Sequence, residues 1–176
     1  MTEPEVSLYL AIYHMKNHLT DQDIKVSIDG AHIKTGNIVH FDIEKFFREH
    51  HFVKKDGDFD RWQGRYCIEG QSADIILESV PGYGDVQIIL QDGKTLLVES
   101  KKSKEGKGSQ EYPLMREAIG QLMTSCLINE NTIPAVAIPY TKKSLELAER
   151  WSQLEQIRKV GIRFILVQEN GDIVMI

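Results

Sequence analysis

The chain has 176 residues, 41% of them apolar and 27% charged, a composition typical of a globular protein with enough length for one α/β core. No segment approaches the roughly 20 apolar residues of a membrane helix, and the acidic opening sequence lacks the basic region of a signal peptide. The net charge of −5 weighs against a general nucleic-acid binder, because contacts to phosphate need Lys and Arg. Cys67 and Cys126 have no metal-like spacing, so we expect free, buried thiols in a reducing cytoplasm.

The first half of the chain predicts helices and short strands. Apolar residues recur at helical spacing over residues 6–15 and again over residues 42–50. Between these helices, an alternating run that starts at Ile24 meets Asp29-Gly30 and continues to Ile33, which predicts a β-hairpin. Strands are predicted over residues 65–68 and 73–77, with a short helix as the alternative for the second.

Two apolar runs, residues 85–90 and 95–101, are joined by a turn at Asp92-Gly93 and predict a second hairpin. Side chains alternate along a strand, so Glu99 and Lys101 point to one face of it and Ser100 to the other. Asp85 and Glu99 stand at similar distances from the turn, and we expect them to meet across the strand pair.

Beyond this hairpin, helices and strands alternate. A helix is predicted over residues 111–127, a strand over 133–138, a helix from the Thr141 cap to about residue 159 with Leu154 on its apolar face, and strands over 162–167 and 173–176. We therefore expect an α/β protein whose mixed β-sheet is flanked by helices on both faces. Residues 1–40 are interpreted as an N-terminal helix-and-hairpin addition to a domain of residues 41–176, the two forming a single globular unit.

Two acids and a lysine lie together at one end of an apolar hairpin, and placing the two negative charges there has an electrostatic cost. Neighbouring carboxylates repel each other, and burial favours their neutral forms. A Mg²⁺ ion removes both penalties and takes oxygen ligands from carboxylates, water and phosphate. A lysine beside the ion stabilises charge on a phosphate. The alternative is a surface salt bridge, and the joint placement of Asp85, Glu99 and Lys101 favours the functional interpretation.

The segment from Gly84-Asp85 to Glu99-Ser100-Lys101 resembles the signature of the PD-(D/E)xK nuclease superfamily, in which an Asp precedes Glu-x-Lys on the next strand. Gly84 stands where that family often has proline. The resemblance implies a restriction-endonuclease-like fold. It also implies a Mg²⁺ or Mn²⁺ site formed by Asp85, Glu99 and the carbonyl of Ser100, with Lys101 as the catalytic lysine. Asp74, which also begins an apolar run, is the competing upstream acid.

The helix that follows carries Gln121 within Ala118-Ile119-Gly120-Gln121-Leu122, and it resembles the glutamine-bearing helix of the RecB-like and Holliday-junction-resolvase-like branches. That resemblance implies that Gln121 lies near the metal or the DNA backbone; the alternative is an exposed polar residue. Glu44 and Glu49 are candidates for the water-mediated metal contact that some members make from their first helix. A basic patch of Lys101, Lys102, Lys104 and Lys107 would bind phosphate, or is simply a solvated loop.

The function that follows from this resemblance is a cytoplasmic Mg²⁺-dependent deoxyribonuclease that hydrolyses DNA phosphodiester bonds, with endonuclease action favoured over exonuclease action. Its partner is DNA and not a membrane, and a homodimer would suit the cutting of two strands. The alternative is a nuclease-fold protein that no longer cuts and serves as a binding or regulatory module. The sequence has no phosphate-binding glycine loop, nucleophile elbow or zinc pattern that would indicate an unrelated α/β enzyme.

Overall fold

The computed structural model describes residues 1–80, 84–103 and 110–176. Lys104 and Lys107 of the predicted basic patch lie outside these residues. The described helices are α1 Glu3–Lys16, α2 Gly30–Ile33, α3 Ile43–Glu49, α4 Glu111–Ser125, α5 Lys142–Ser152 and α6 Glu155–Val160. The described strands are β1 Ile24–Ser27, β2 Lys34–Thr35, β3 Ile38–Val39, β4 Val53–Asp56, β5 Gly64–Cys67, β6 Ile75–Glu78, β7 Val86–Ile89, β8 Thr95–Ser100, β9 Thr132–Pro139, β10 Arg163–Val167 and β11 Ile173–Met175. None of the helices in the described ranges is long and apolar enough to cross a membrane.

One large mixed sheet organises the chain. Within the described residues, its nine strands lie in the order β11-β10-β9-β8-β7-β1-β6-β5-β4, and β2 and β3 form a separate small pair. Pairing is parallel for β1 with β6, β8 with β9 and β9 with β10. The remaining neighbours of the large sheet pair antiparallel. The predicted α/β class with a mixed sheet is therefore confirmed.

Helices pack on both faces of this sheet, because alternate strand residues supply two separate apolar layers. On one face, α1 and α3 pack on side chains that include Val26, Val86 and Val98. On the other face, α4 and α5 pack on side chains that include Leu97 and Val136. Strand β8 contributes to both layers and lies between α1 and α4, so its end is enclosed from two sides.

The predicted hairpin over residues 24–33 is wrong. Strand β1 ends at Ser27, and the side chain of Asp29 accepts a hydrogen bond of 2.9 Å from the Ala31 N–H, which caps α2. An Asp-Gly pair serves a tight turn or a helix start equally well, and here it starts a helix. Whereas the sequence suggests that residues 1–40 are an addition, β1 lies inside the sheet between β6 and β7.

The predicted single helix from residue 141 to about 159 is also wrong, since it is divided into α5 and α6. Leu154 between them has an extended backbone and is 47% exposed, so it does not belong to the apolar face. Helix α5 buries Leu147, Ala148 and Trp151, whereas α6 buries no residue. Helical spacing continues through the break, but α6 adds only the partly buried Ile157 and Val160 to the core. The predicted strand over residues 73–77 is confirmed as β6, and the helical alternative is excluded.

Candidate functional site

The β7–β8 hairpin sets Asp85 opposite Glu99. Val86 pairs with Val98 in the antiparallel register, and continuing that register by one residue puts Asp85 across from Glu99. The Asp85 N–H donates to the Val98 carbonyl at 2.8 Å, and Asp85 Oδ2 accepts from the Ser100 N–H at 2.7 Å. The Asp85 carboxylate thus accepts the Ser100 N–H in place of a backbone carbonyl of the neighbouring strand. This hydrogen bond fixes the carboxylate at the end of the hairpin.

Gly84 allows the chain to approach β8 at this point. Its φ of +74° lies in the left-handed region, which favours glycine. A β-carbon on residue 84 would lie 3.0 Å from the Val98 carbonyl oxygen and 3.3 Å from Leu97 Cδ1. Backbone conformation and close packing therefore both favour glycine at residue 84.

Burial is the main influence on the ionisation of both the Asp85 and the Glu99 carboxyl groups. Burial raises the pKa of Asp85 to about 6, against the opposing effect of the Ser100 N–H. Burial raises the pKa of Glu99 to about 7, and the negative charge of Asp85 is the second cause. The positive charge of Lys101 lowers this pKa. Just below neutral pH the pair therefore retains a proton, which a divalent cation would displace.

Lys101 is a buried cation held between the two helical layers. Its residue is only 5% exposed. Its Nζ lies 3.7 Å from Glu3 Oε2 on α1 and 3.8 Å from Glu117 Oε1 on α4. The structure therefore brings Asp85, Glu99 and Lys101 into one location, with Lys101 engaged by carboxylates from both sides.

Ser100 connects the same strand to α1. The Ser7 hydroxyl donates to Ser100 Oγ at 2.9 Å, and both residues are buried. The Ser100 N–H binds Asp85. The N–H and C=O of one strand residue point to the same edge, so the Ser100 carbonyl points toward the Asp85 side of β8.

Helix α4 contributes Gln121, and Cys126 follows at its end. Gln121 lines the cleft and its Oε1 is buried with no hydrogen-bond partner in the described part of the chain. Cys126 Sγ lies 3.9 Å from Glu99 Oε1, and burial together with Glu99 raises the pKa of this thiol to about 11. Both cysteines are free and partly buried. The contact between Cys126 and Glu99 joins residues 27 positions apart, and no local sequence pattern indicates it.

Three acids considered from the sequence lie elsewhere. Asp74 Oδ2 is 3.1 Å from Arg65 Nη1 and 3.3 Å from Lys55 Nζ, in an ion-pair cluster remote from the cleft lining. Glu44 lines a different cavity, and Glu49 lies 3.8 Å from Lys45 on the same helix. The acid that α1 does bring to the cleft is Glu3, which sequence spacing does not reveal because it is distant from residues 85–101 along the chain.

These side chains line a cleft of about 740 Å³ between α1, α2 and α4. Its lining consists of Glu3, Ser27, Asp29, His32, Ser79, Val80, Gly84, Asp85, Glu99, Lys101, Lys102, Leu114, Glu117 and Gln121. Among the described lining residues, acidic side chains outnumber basic ones, which favours cations over anions in the cleft.

The donor set suits an ion that keeps much of its water. Among the described residues, no group of three or more His, Cys, Asp or Glu side chains is arranged to hold a metal ion. Two carboxylates and a carbonyl nevertheless fit Mg²⁺, which is usually bound by one or two carboxylates with water and phosphate as its other ligands. They do not fit a closed structural zinc site, which needs four protein ligands.

Comparisons of this chain with protein-family models, with curated proteins and with solved structures found no match.

Proposed function

We propose that the protein is a Mg²⁺-dependent nuclease that hydrolyses DNA phosphodiester bonds, with the restriction-endonuclease-like fold of the PD-(D/E)xK superfamily. One observation carries this proposal. Asp85 and Glu99 lie opposite each other across the β7–β8 strand pair, next to the buried Lys101. Two acids with raised pKa values and a lysine in one cleft are typical of sites that bind a cation and a phosphate.

Each residue has a distinct role in this proposal. Asp85 and Glu99 would hold the ion together with the Ser100 carbonyl. Gln121 would lie near the ion or the DNA backbone, with its Oε1 accepting a hydrogen bond from water. Lys101 would stabilise negative charge that develops on the phosphate. When bound, Mg²⁺ polarises a phosphoryl oxygen and favours deprotonation of water. We favour endonuclease action in the cytoplasm, and a homodimer would allow both strands to be cut.

Lys101→Ala tests this proposal. Supercoiled plasmid, linear duplex, single-stranded and branched DNA are each incubated with the protein and with Mg²⁺ or Mn²⁺. We expect cutting that chelation by EDTA stops and that Lys101→Ala lowers by about 100-fold or more, the scale of losing one group that stabilises transition-state charge. Lys94→Ala, in the exposed β7–β8 turn, is the matched control and should cut like the wild type.

A second candidate function is a binding or regulatory module that keeps the nuclease fold without cutting. The excess of acidic side chains in the cleft and the net charge of −5 favour it, because both oppose the approach of DNA. If the protein cuts none of the four DNA forms and binds no metal in calorimetric titration, the binding or regulatory module is favoured over the nuclease.

A further inference from the structure

His32 stands on the wall of the cleft that α1 and α2 form. Its Nδ1 lies 3.3 Å from Glu3 Oε1, and its side chain is 38% exposed. The other oxygen of the same carboxylate, Glu3 Oε2, lies 3.7 Å from Lys101 Nζ. Glu3 therefore links His32 to Lys101, and one ring nitrogen of His32 has a carboxylate beside it. No described residue hydrogen-bonds to the other ring nitrogen, Nε2.

A small polar cavity adjoins this ring. Its volume is about 40 Å³, and its lining includes Glu3, Ser27, Asp29, His32 and Asp85. A cavity of this size has room for a water molecule, and the surrounding carboxylates and hydroxyl can bind one. Because all five residues also line the main cleft, a water molecule in this cavity would lie at the border of the space in which a phosphate would bind.

Burial of His32 favours a neutral ring, and the charges around it act in both directions. The groups that face it are Glu3 from α1, Asp29 at the start of its own helix, and Lys101 and Lys102 after β8. Burial lowers the pKa of His32, Lys102 and Lys101 lower it further, and Asp29 opposes them. A neutral imidazole at neutral pH has one nitrogen free to accept a proton.

Lys101 is poorly suited to that task. Its ammonium is already engaged by Glu3 and Glu117 at 3.7 and 3.8 Å, which suits charge stabilisation rather than proton removal. Asp85 and Glu99 are the proposed ion ligands. His32 is thus the remaining cleft residue that combines a neutral base with an orienting carboxylate, an arrangement used by general bases.

We propose that His32 is the general base of the reaction, oriented by Glu3, and this inference rests on the nuclease function proposed above. Nε2 accepts a proton from a water molecule as the water oxygen forms a bond to phosphorus. The bond between phosphorus and the leaving oxygen breaks, its electron pair stays on that oxygen, and the oxygen takes a proton from solvent. The imidazolium then releases its proton to solvent, so protons and charge balance.

The test compares His32→Gln with His40→Gln. His40 lies on the exposed small hairpin, where its Nε2 contacts Thr35 Oγ1 at 3.1 Å, and it is absent from the cleft lining. With saturating Mg²⁺ and the best-cut DNA form, His32→Gln should lower kcat about 100-fold, at the low end of general-base effects. The wild-type kcat should fall at acid pH with an apparent pKa below 6.5, and His32→Gln should lose this dependence.

A second measurement needs no variant. In the wild type, ¹⁵N NMR of the histidine rings should show His32 neutral with its proton on Nδ1, because the neighbouring carboxylate favours that tautomer. A proton on Nε2 at neutral pH would overturn the inference. Because this measurement uses the wild type, it holds even if His32→Gln does not fold.

The outcomes separate the two proposals. If the wild type cuts and His32→Gln cuts within about threefold of His40→Gln, the general-base assignment is wrong while the nuclease function stands. If the wild type cuts none of the DNA forms, the nuclease function is wrong and the role of His32 falls with it.

Discussion

Replacing Glu99 with glutamine tests the electrostatic cost of the paired carboxyl groups. Burial and Asp85 raise the pKa of Glu99 from its ordinary 4.5 to about 7. The folded protein therefore keeps a proton that the unfolded chain has lost, and stability should fall as the pH rises through this interval. Each pKa unit corresponds to about 1.4 kcal/mol, so the shift to about 7 corresponds to about 3 kcal/mol above that pH.

Glu99→Gln keeps the size of the side chain and removes its charge. In metal-free buffer at pH 8 we expect the variant to be about 3 kcal/mol more stable than the wild type, or about 6–12 °C higher in Tm for a chain of this length. At pH 4.5 the difference should shrink to less than about 0.5 kcal/mol, because the wild-type Glu99 is then protonated in the fold.

Thermal and urea unfolding at the two pH values measure this difference. Glu169→Gln, in an exposed turn, is the matched control and should change stability little at either pH. A Glu99→Gln effect of equal size at both pH values, or destabilisation at pH 8, would refute the electrostatic argument. Saturating Mn²⁺ at pH 8 should stabilise the wild type and leave Glu99→Gln nearly unchanged, because only the wild type has both carboxylates for the ion.

Two further substitutions test the backbone and the core. Gly84→Ala should destabilise the protein by about 1–3 kcal/mol in urea unfolding, because φ is +74° and the new β-carbon would lie 3.0 Å from the Val98 carbonyl oxygen. Gly93→Ala is the control, with φ +83° and no atom within 4 Å of the new β-carbon, and it should cost less. Equal losses of stability in the two variants would contradict the packing argument. Leu147→Ala should lower the free energy of unfolding by about 2–5 kcal/mol, because it truncates a core side chain. Leu154→Ala, at a 47% exposed position, should change it by no more than about 0.5 kcal/mol. A large effect at Leu154 would instead favour one continuous helix with Leu154 on its buried face.

The turn at Asp29-Gly30 illustrates where local sequence is ambiguous. Alternating residues up to Ile28 are compatible with a hairpin, and the Asp-Gly pair is compatible with its turn. The same pair also starts a helix, and here Asp29 caps α2. The choice depends on β1 being paired on both sides, with β6 and β7, which leaves no edge for a strand formed by residues 31–33.

The sequence by itself determined the hairpin from residue 85 to residue 101, and with it the meeting of Asp85 and Glu99. A two-residue alternation and one tight turn set that register within 17 residues of chain, so no distant contact is needed. Only the tertiary structure decided that Glu3 and His32 face the same cleft and that Gln121 lines it with a buried oxygen that has no partner among the described residues. Their positions depend on how α1, α2 and α4 pack on the sheet. That packing brings together segments far apart in sequence, and the local pattern of one segment does not indicate which other segment it will contact.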